Sequence, residues 1–339
     1  KSRVYLPNSG NPFVNPPFHF HPIPGPMASW KRSLRMGRTL LSNNIQVYHG
    51  LSNEIPLDLK DYRGRVRSVL TVHDLIFLDL PSTYSWIDRR VYRFKTKQSL
   101  AMADRVVAIS EATRLQLLRH FPEYGHKIQV ILQPCSQAYY TEIPDSIPHP
   151  LEEQPYWLWV GTVEKRKNLE VILRALHLTP TDQRLPLVVI GNTSHDYAQQ
   201  CVQLSTKLNL KVLWNPQNNA DHRESSDGKA NLIPWYRHAQ GLIYPSHLEG
   251  FGLPVAEALL SRCPVITTRH SSMAEICGPH GLLVDPTQPE ELRDAMISLR
   301  NDPAFGETLR LEGYRRALTL LDPHSLTEQW LKLYQDLIG

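Results

Sequence analysis

The chain has 339 residues, 41% hydrophobic and 21% charged, an ordinary globular composition with room for two separate cores. Its formal net charge of +4 suits anionic substrates or a membrane surface and is too weak to imply a nucleic-acid partner. Cys135, Cys201, Cys263 and Cys277 are scattered without a C-x-x-C, no apolar run approaches the roughly 18 residues of a membrane span, and no signal peptide is visible, so a cytoplasmic protein with reduced thiols is expected.

In chain order, residues 1–26 carry seven prolines and read as loop, not helix or central strand. The His19-x-His21 pair there reads as chance ahead of metal binding. From about residue 45, strands and helices alternate. Apolar runs at 45–48, 68–72, 105–109 and 128–132 predict strands, with helices over 86–102 and 111–120, the second capped by Ser110. The polar stretch 134–155, marked by Pro144, Pro148 and Pro150, reads as an interdomain linker. A second alternation follows, with strands at 156–160, 187–190, 211–214, 241–245 and 265–268. Its helices fall at 168–176, 196–208 and 233–238, from Pro254 onward, and at 289–299. Residues 215–231 read as a polar, exposed insertion, and a last helix runs near 325–337.

Two such series predict an α/β protein with two doubly wound parallel-sheet, Rossmann-like domains facing a cleft. The expected division is 1–150, 151–323, and a C-terminal helix over 324–339. A ligand is expected at the carboxyl ends of the strands.

The most informative stretch is Glu249-Gly-Phe-Gly-Leu-Pro-Val-Ala-Glu257, where a strand ends, a glycine turn follows and a helix begins. Pro254 suits a first helical turn. The amides of Phe251, Gly252 and Leu253 lie at the positive end of the helix dipole, a ready site for phosphate. Glu257, expected in the first turn, is long enough to reach a ribose, and Glu249 lies where an attached sugar would be. Alone, a Gly-x-Gly before a helix is as often only a tight turn; the flanking glutamates shift the balance.

A second loop, Gly161-Thr162-Val-Glu-Lys-Arg166-Lys167-Asn168, also follows a strand and precedes a helix. A cation there can neutralise a leaving diphosphate, or the loop is simply basic and solvated. His73 ends a strand, as a ligand-facing group or a loop cap. On the helix 86–102, Arg89, Arg93 and Lys97 share a face, with Ile87, Val91, Phe94 and Ala101 on an opposing stripe. A solvated face is the default; the sharper reading is weak peripheral contact with anionic lipid or a phosphorylated lipid acceptor.

The string E-G-F-G-L-P-V-A-E resembles the signature of the retaining GT-B glycosyltransferases of family 4, and G-T-x-E-x-R-K-N resembles that group's diphosphate loop. The resemblance runs from about residue 45 to the end. It implies a GT-B fold, a retaining glycosyltransferase, a nucleotide sugar as donor, a glycan or lipid-linked acceptor, and a last helix that crosses back to the first domain. By this resemblance Glu249 and His73 are the catalytic candidates that meet the donor sugar. Lys167 grips the diphosphate among Gly161, Thr162, Arg166, Phe251, Gly252 and Leu253, and Glu257 holds the ribose. No metal and no cofactor is implied: fixed cations and helix amides take that place, and the chain has no D-x-D cluster. The loop subtype leans toward mannosyl transfer in surface polysaccharide assembly. Residues 49–54 and 110–113 look like further family loops facing the cleft, and Ser271–Glu275 like a supporting turn.

The chain departs from this pattern in two places. Thr162 stands where many members carry arginine, and Arg166 is the candidate substitute. Residues 1–70 hold only isolated glycines, so the usual opening strand and glycine-rich loop are expected to be lacking, with Arg3–Leu6 a later strand. A first domain incomplete at its start motivates an alternative, a non-catalytic sugar-nucleotide-binding or scaffold protein derived from this fold. A GT-B sugar-nucleotide epimerase is a third reading.

Overall fold

Short apolar runs pair into parallel sheets where a crossover connection, commonly a helix, carries the chain back to the end from which the strands start. The computed structural model describes residues 3–6, 19–22, 33–141, 149–216 and 232–339. The chain divides into two compact units: Lys1–Leu132 with Leu326–Gly339, and Gln133–Ser325.

In the first unit, β1 (Arg3–Leu6) and β2 (His19–Pro22) form a parallel pair, with Arg3 opposite His19. The loop expected through residue 26 therefore contains a strand. A proline is tolerated at the end of a strand that has one neighbour. A separate four-stranded parallel sheet holds β3 (Val47–Gly50), β4 (Arg67–Val72), β5 (Arg105–Ala108) and β6 (Ile128–Val130) in sequence order. Helices α1 (Gly37–Ser42), α2 (Ile76–Asp79), α3 (Trp86–Met102) and α4 (Glu111–His120) accompany it. Ser85 and Ser110 cap α3 and α4, accepting hydrogen bonds from the amides of Asp88 and Thr113.

The two-residue period of the strands sorts their side chains. Leu70, Val72, Val106 and Ala108 pack with Leu100, Leu117 and Phe121 on one face. Val69 and Val107 point the other way and pack with Leu326, Leu333 and Leu337 of the C-terminal helix, Pro323–Ile338. Helix α3 meets the core through Thr96, Ser99, Leu100 and Met102, while its Ile87, Val91 and Phe94 stripe is exposed.

The second unit is built on a six-stranded parallel sheet ordered β12-β11-β10-β7-β8-β9. Its strands are β7 (Trp157–Val160), β8 (Leu187–Ile190), β9 (Val212–Trp214), β10 (Gly241–Tyr244), β11 (Val265–Thr268) and β12 (Leu282–Val284). The helices are α5 (Leu169–Leu178), α6 (Asp196–Lys207), α7 (Ile233–His238), α8 (Leu253–Leu260), α9 (Ser272–Cys277), α10 (Pro289–Asn301) and α11 (Pro303–Leu320). Strands β7, β8, β10 and β11 are buried at every residue, as expected of parallel strands covered on both faces. The strand order reverses between β7 and β10, which makes the gap beyond their carboxyl ends the topological switch point of this sheet.

Residues 133–141 pack within this second unit. Tyr139 is buried against the ring of Tyr236, and the Tyr140 hydroxyl donates to the Leu321 carbonyl at 2.9 Å. Residues 217–231 of the expected insertion lie outside the described residues. Asn215, at its start, braces the turn after β8: its side chain accepts from the Gly191 amide at 2.7 Å and donates to the Gly191 carbonyl at 2.9 Å. Among the described residues, no helix is long and apolar enough to cross a membrane. All four cysteines are free thiols.

Candidate active site

The two loops singled out in the sequence leave neighbouring strands at the switch point. The first begins at Gly161, whose φ of +143° strongly favours glycine. A Cβ at Gly161 would lie 2.9 Å from the Lys167 Nζ, and one at Gly191, on the adjacent turn, 2.0 Å from the Gly161 carbonyl oxygen. The absent Cβ of Gly161 leaves room for the Lys167 side chain to lie back over it, and the absent Cβ of Gly191 lets the two turns approach closely. Thr162 follows, partly buried. Residues Lys165–Lys167 form one 3-10 turn, closed by Asn168 in the left-handed region at φ 57°. The Asn168 side-chain amide donates to the carbonyls of Pro286 at 2.7 Å and Pro245 at 3.3 Å, tying this loop to the end of β10.

Arg166 crosses to the second loop. Its Nη1 donates to the Leu248 carbonyl at 2.6 Å and meets Glu249 Oε2 at 2.7 Å, while Nη2 meets Glu164 Oε1 at 2.6 Å. The Arg166 carbonyl in turn accepts the His247 amide at 2.9 Å. Burial works against the guanidinium charge, but Glu249 and Glu164 outweigh it and raise its pKa. Burial lowers the Lys167 ammonium below the ordinary lysine value, against the pull of Glu249 and Glu164. Lys167 Nζ stands 3.8 Å from Glu164 Oε1.

Glu249 is held on every side. Its Oε1 accepts from the hydroxyls of Tyr244 and Ser246, both at 3.0 Å, and its backbone carbonyl accepts from Ser272 Oγ at 3.0 Å. Past it, Phe251 is buried and Gly252, at φ 103°, caps α8. A Cβ there would come within 2.6 Å of Met273 Cγ. Phe251, Gly252 and Leu253 thus stand at the amino end of α8, with Pro254 in its first turn. Glu257 lies in the second turn of α8 rather than the first, since the helix begins at Leu253; its Oε2 accepts from the Tyr236 hydroxyl at 3.0 Å.

His73 belongs to the first unit, just beyond β4. Its amide donates to Asn53 Oδ1 at 2.9 Å, and its Nε2–H donates to the Leu51 carbonyl at 2.7 Å. Asn53 sits at φ 59°, so the loop after β3 is bent to receive both bonds. Nearby, His49 lies between Tyr334 and Thr71, each 2.7 Å from a ring nitrogen. Sequence reading assigned no role to the side chains of Tyr236, Tyr244, Ser246, Asn168 and Asn215. Only the Tyr-x-Ser-x-x-Glu order at 244–249 signalled a polar cluster at a strand end. Among the described residues, no three His, Cys, Asp or Glu side chains are grouped so as to hold a metal ion.

Residues 142–316 match the family model for glycosyl transferases group 1, and residues 3–136 match that for glycosyltransferase family 4. The chain belongs to the glycosyl transferases group 1 family. It is 28% identical over 283 residues to the O-antigen chain mannosyltransferase B of Escherichia coli, covering 80% of this chain and 69% of that protein. The O-antigen chain mannosyltransferase RfbU of Salmonella typhimurium is 26% identical over 234 residues, 69% of this chain; the match spans 61% of RfbU. HepE of Anabaena, solved in complex with UDP-glucose, superposes with a TM-score of 0.67 at 19% identity over 81% of this chain and 74% of its own. The two parallel-sheet α/β units have the GT-B fold.

Proposed function

We propose that this chain is a retaining glycosyltransferase that moves a hexose, with mannose the leading candidate, from a nucleoside diphosphate sugar to an acceptor hydroxyl in surface polysaccharide assembly. The observation that carries this reading is the meeting of Lys167, Arg166 and Glu249 beside the amino end of α8, at the switch point of the second unit. The mannosyltransferase relatives support the sugar, and the UDP-glucose held by HepE supports the donor class.

In this reading the diphosphate lies against Lys167 and the amides of Phe251–Leu253, near Gly161 and Thr162, where charge that develops on the leaving group is neutralised. Arg166 is a positioning residue, because its guanidinium is spent on Glu249, Glu164 and the Leu248 carbonyl. Glu249 meets the sugar and Glu257 the ribose. The bond from the anomeric carbon to the phosphate oxygen breaks, a bond to the acceptor oxygen forms on the same face, and the acceptor proton passes to the released phosphate. Lys167 and the helix amides supply the positive charge for this, so no metal is required.

A thermal-shift screen of UDP, GDP and ADP with EDTA present tests this. One nucleoside diphosphate should stabilise the chain, by roughly 2.7 kcal/mol at a hundred times its dissociation constant. Lys167→Ala should abolish most of that shift. Equal shifts in both proteins would overturn the placement of the diphosphate. Transfer assays with the matching sugar nucleotide, scored by the anomer of the product, test retention.

A further inference from the structure

The loop after β7 sets a carboxylate and three cations side by side: Glu164, Lys165, Arg166 and Lys167. The 3-10 turn over Lys165–Lys167 brings the Lys167 amide to the Glu164 carbonyl, where it donates at 3.0 Å. The backbone just before Glu164 is fixed, because buried Val163 donates its amide to the Asn192 carbonyl at 2.8 Å. From this position Glu164 Oε1 accepts from Arg166 Nη2 at 2.6 Å and lies 3.8 Å from Lys167 Nζ.

Glu164 and Glu249 both serve Arg166, but they are held very differently. The Glu249 side chain is 13% exposed, and Tyr244, Ser246 and Arg166 Nη1 satisfy both its oxygens. The Glu164 side chain is 39% exposed, against 12% for Arg166 and 14% for Lys167. Its contacts to the two cations lie at the water-facing side of the cluster, where ion pairs hold least strongly. The charges of Arg166 and Lys167 are cancelled by those of Glu164 and Glu249. A diphosphate brought against Lys167 therefore meets a cation that is already neutralised, and of the two carboxylates only Glu164 can leave at little cost. Its departure does not loosen Arg166, whose Nη1 stays on Glu249 and the Leu248 carbonyl.

We infer that Glu164 is a resident anion that pairs with Lys167 and competes with the diphosphate for it, so that donor binding requires the Glu164 carboxylate to swing out into solvent. The inference rests on the placement of the diphosphate against Lys167 proposed above. Burial works against the Lys167 charge, and a carboxylate nearby supports that charge until a phosphate takes over. The same carboxylate lowers the affinity for the released nucleoside diphosphate, because it takes back the lysine as the product leaves. Product release is the slow step in many enzymes, so a built-in competitor for the product favours turnover. A purely bracing role, in which Glu164 only orients Arg166, predicts the reverse: its loss would weaken nucleotide binding.

Calorimetric titration of UDP, GDP and ADP into the whole chain tests this, with Glu164→Gln, Glu164→Ala and Lys167→Ala beside the wild type. The nucleotide that binds the wild type should bind Glu164→Gln about threefold to fivefold more tightly at low salt, and the gain should shrink at high salt. Glu164→Ala should also bind it more tightly, because the lost charge is what matters. The Glu164 side chain reaches solvent, so both variants should keep the wild-type circular dichroism. Binding that depends on Lys167 but weakens or stays unchanged in Glu164→Gln would overturn this inference alone and leave Glu164 a brace for Arg166. A gain in Glu164→Gln without one in Glu164→Ala would overturn it in favour of a new bond from the amide. Binding indifferent to Lys167→Ala would overturn the placement of the diphosphate, and this inference with it.

Discussion

Arg166 and Glu249, from loops that follow different strands, are joined by an ion pair of 2.7 Å with both side chains nearly buried. The pair exists because β7 and β10 are neighbours in the sheet although two strands lie between them in sequence. Its geometry explains why a carboxylate beside a proposed phosphate site is not expelled from it. Tyr244, Ser246 and Arg166 together satisfy both oxygens.

Removing one side of this pair should cost more than removing both. Arg166→Ala leaves a buried carboxylate without its counter-charge and should destabilise by about 3 kcal/mol. Glu249→Gln keeps an acceptor for Tyr244 and Ser246 but sets an amide N–H toward Arg166. Arg166→Ala combined with Glu249→Gln should recover at least about 1 kcal/mol relative to additivity of the two single variants, read by urea unfolding with unchanged slope. Strictly additive losses would mean that the two are not coupled. In transfer assays, Glu249→Gln should reduce turnover by orders of magnitude while nucleotide binding persists.

The paired glycine turns should separate stability from binding. Gly191→Ala drives a Cβ to 2.0 Å from the backbone oxygen of Gly161 at φ +143°, and should destabilise by about 2–3 kcal/mol. Gly161→Ala instead meets the end of a flexible side chain, Lys167 Nζ at 2.9 Å. At the same φ of +143° it should displace the lysine and weaken nucleoside diphosphate binding strongly, while lowering the thermal midpoint less than Gly191→Ala does. Calorimetry on both variants checks the order.

His49 should make the first unit sensitive to acid. Burial, with a smaller push from His73, lowers its pKa from 6.5 to about 4. Between these values the unfolded chain binds the proton and the folded one does not, so stability is full well above pH 6.5 and falls as pH drops toward about 4, with a slope approaching about 1.4 kcal/mol per pH unit. His49→Gln, which can still reach Thr71 and Tyr334, should flatten that slope. An NMR titration showing His49 protonating near pH 6.5 would contradict the account.

Tyr236 should matter to nucleotide binding without touching the nucleotide. Its hydroxyl donates to Glu257 at 3.0 Å from a fully buried ring. Tyr236→Phe should weaken nucleoside diphosphate affinity about fivefold, the worth of roughly one hydrogen bond, by loosening the carboxylate proposed to hold the ribose. No change in affinity, alongside a lowered thermal midpoint, would assign Tyr236 a purely structural role.

Part of this architecture was legible because its causes are local. Trp86–Met102 and Glu111–His120 follow from a capping serine and a run of helix formers, and the turn Gly250–Pro254 from glycine and proline chemistry. Helix α11 escaped detection because it buries only Gly306, Leu309, Gly313 and Ala317; its core face is made of small residues that packing demands and hydropathy does not mark. At Gly313 a Cβ would come 2.8 Å from Leu259 Cδ2, so the closeness of α8 selects the glycine. Strand β12 is three residues long, and β2 hid among prolines.

The two βα series, and the glycine-proline turn between Glu249 and Glu257 that starts a helix, can be read from neighbouring residues, because backbone preference and side-chain period act over short stretches. The partners of these side chains follow from packing between distant segments. Arg166 turns inward to Glu249 because the strand order places β10 beside β7, and the buried hydroxyls of Tyr244 and Tyr236 reach Glu249 and Glu257 because a buried donor must find an acceptor. The same holds for the stripe on α3. Its period is plain in the sequence, yet which side faces water depends on how Thr96, Ser99 and Leu100 meet a core assembled from distant strands.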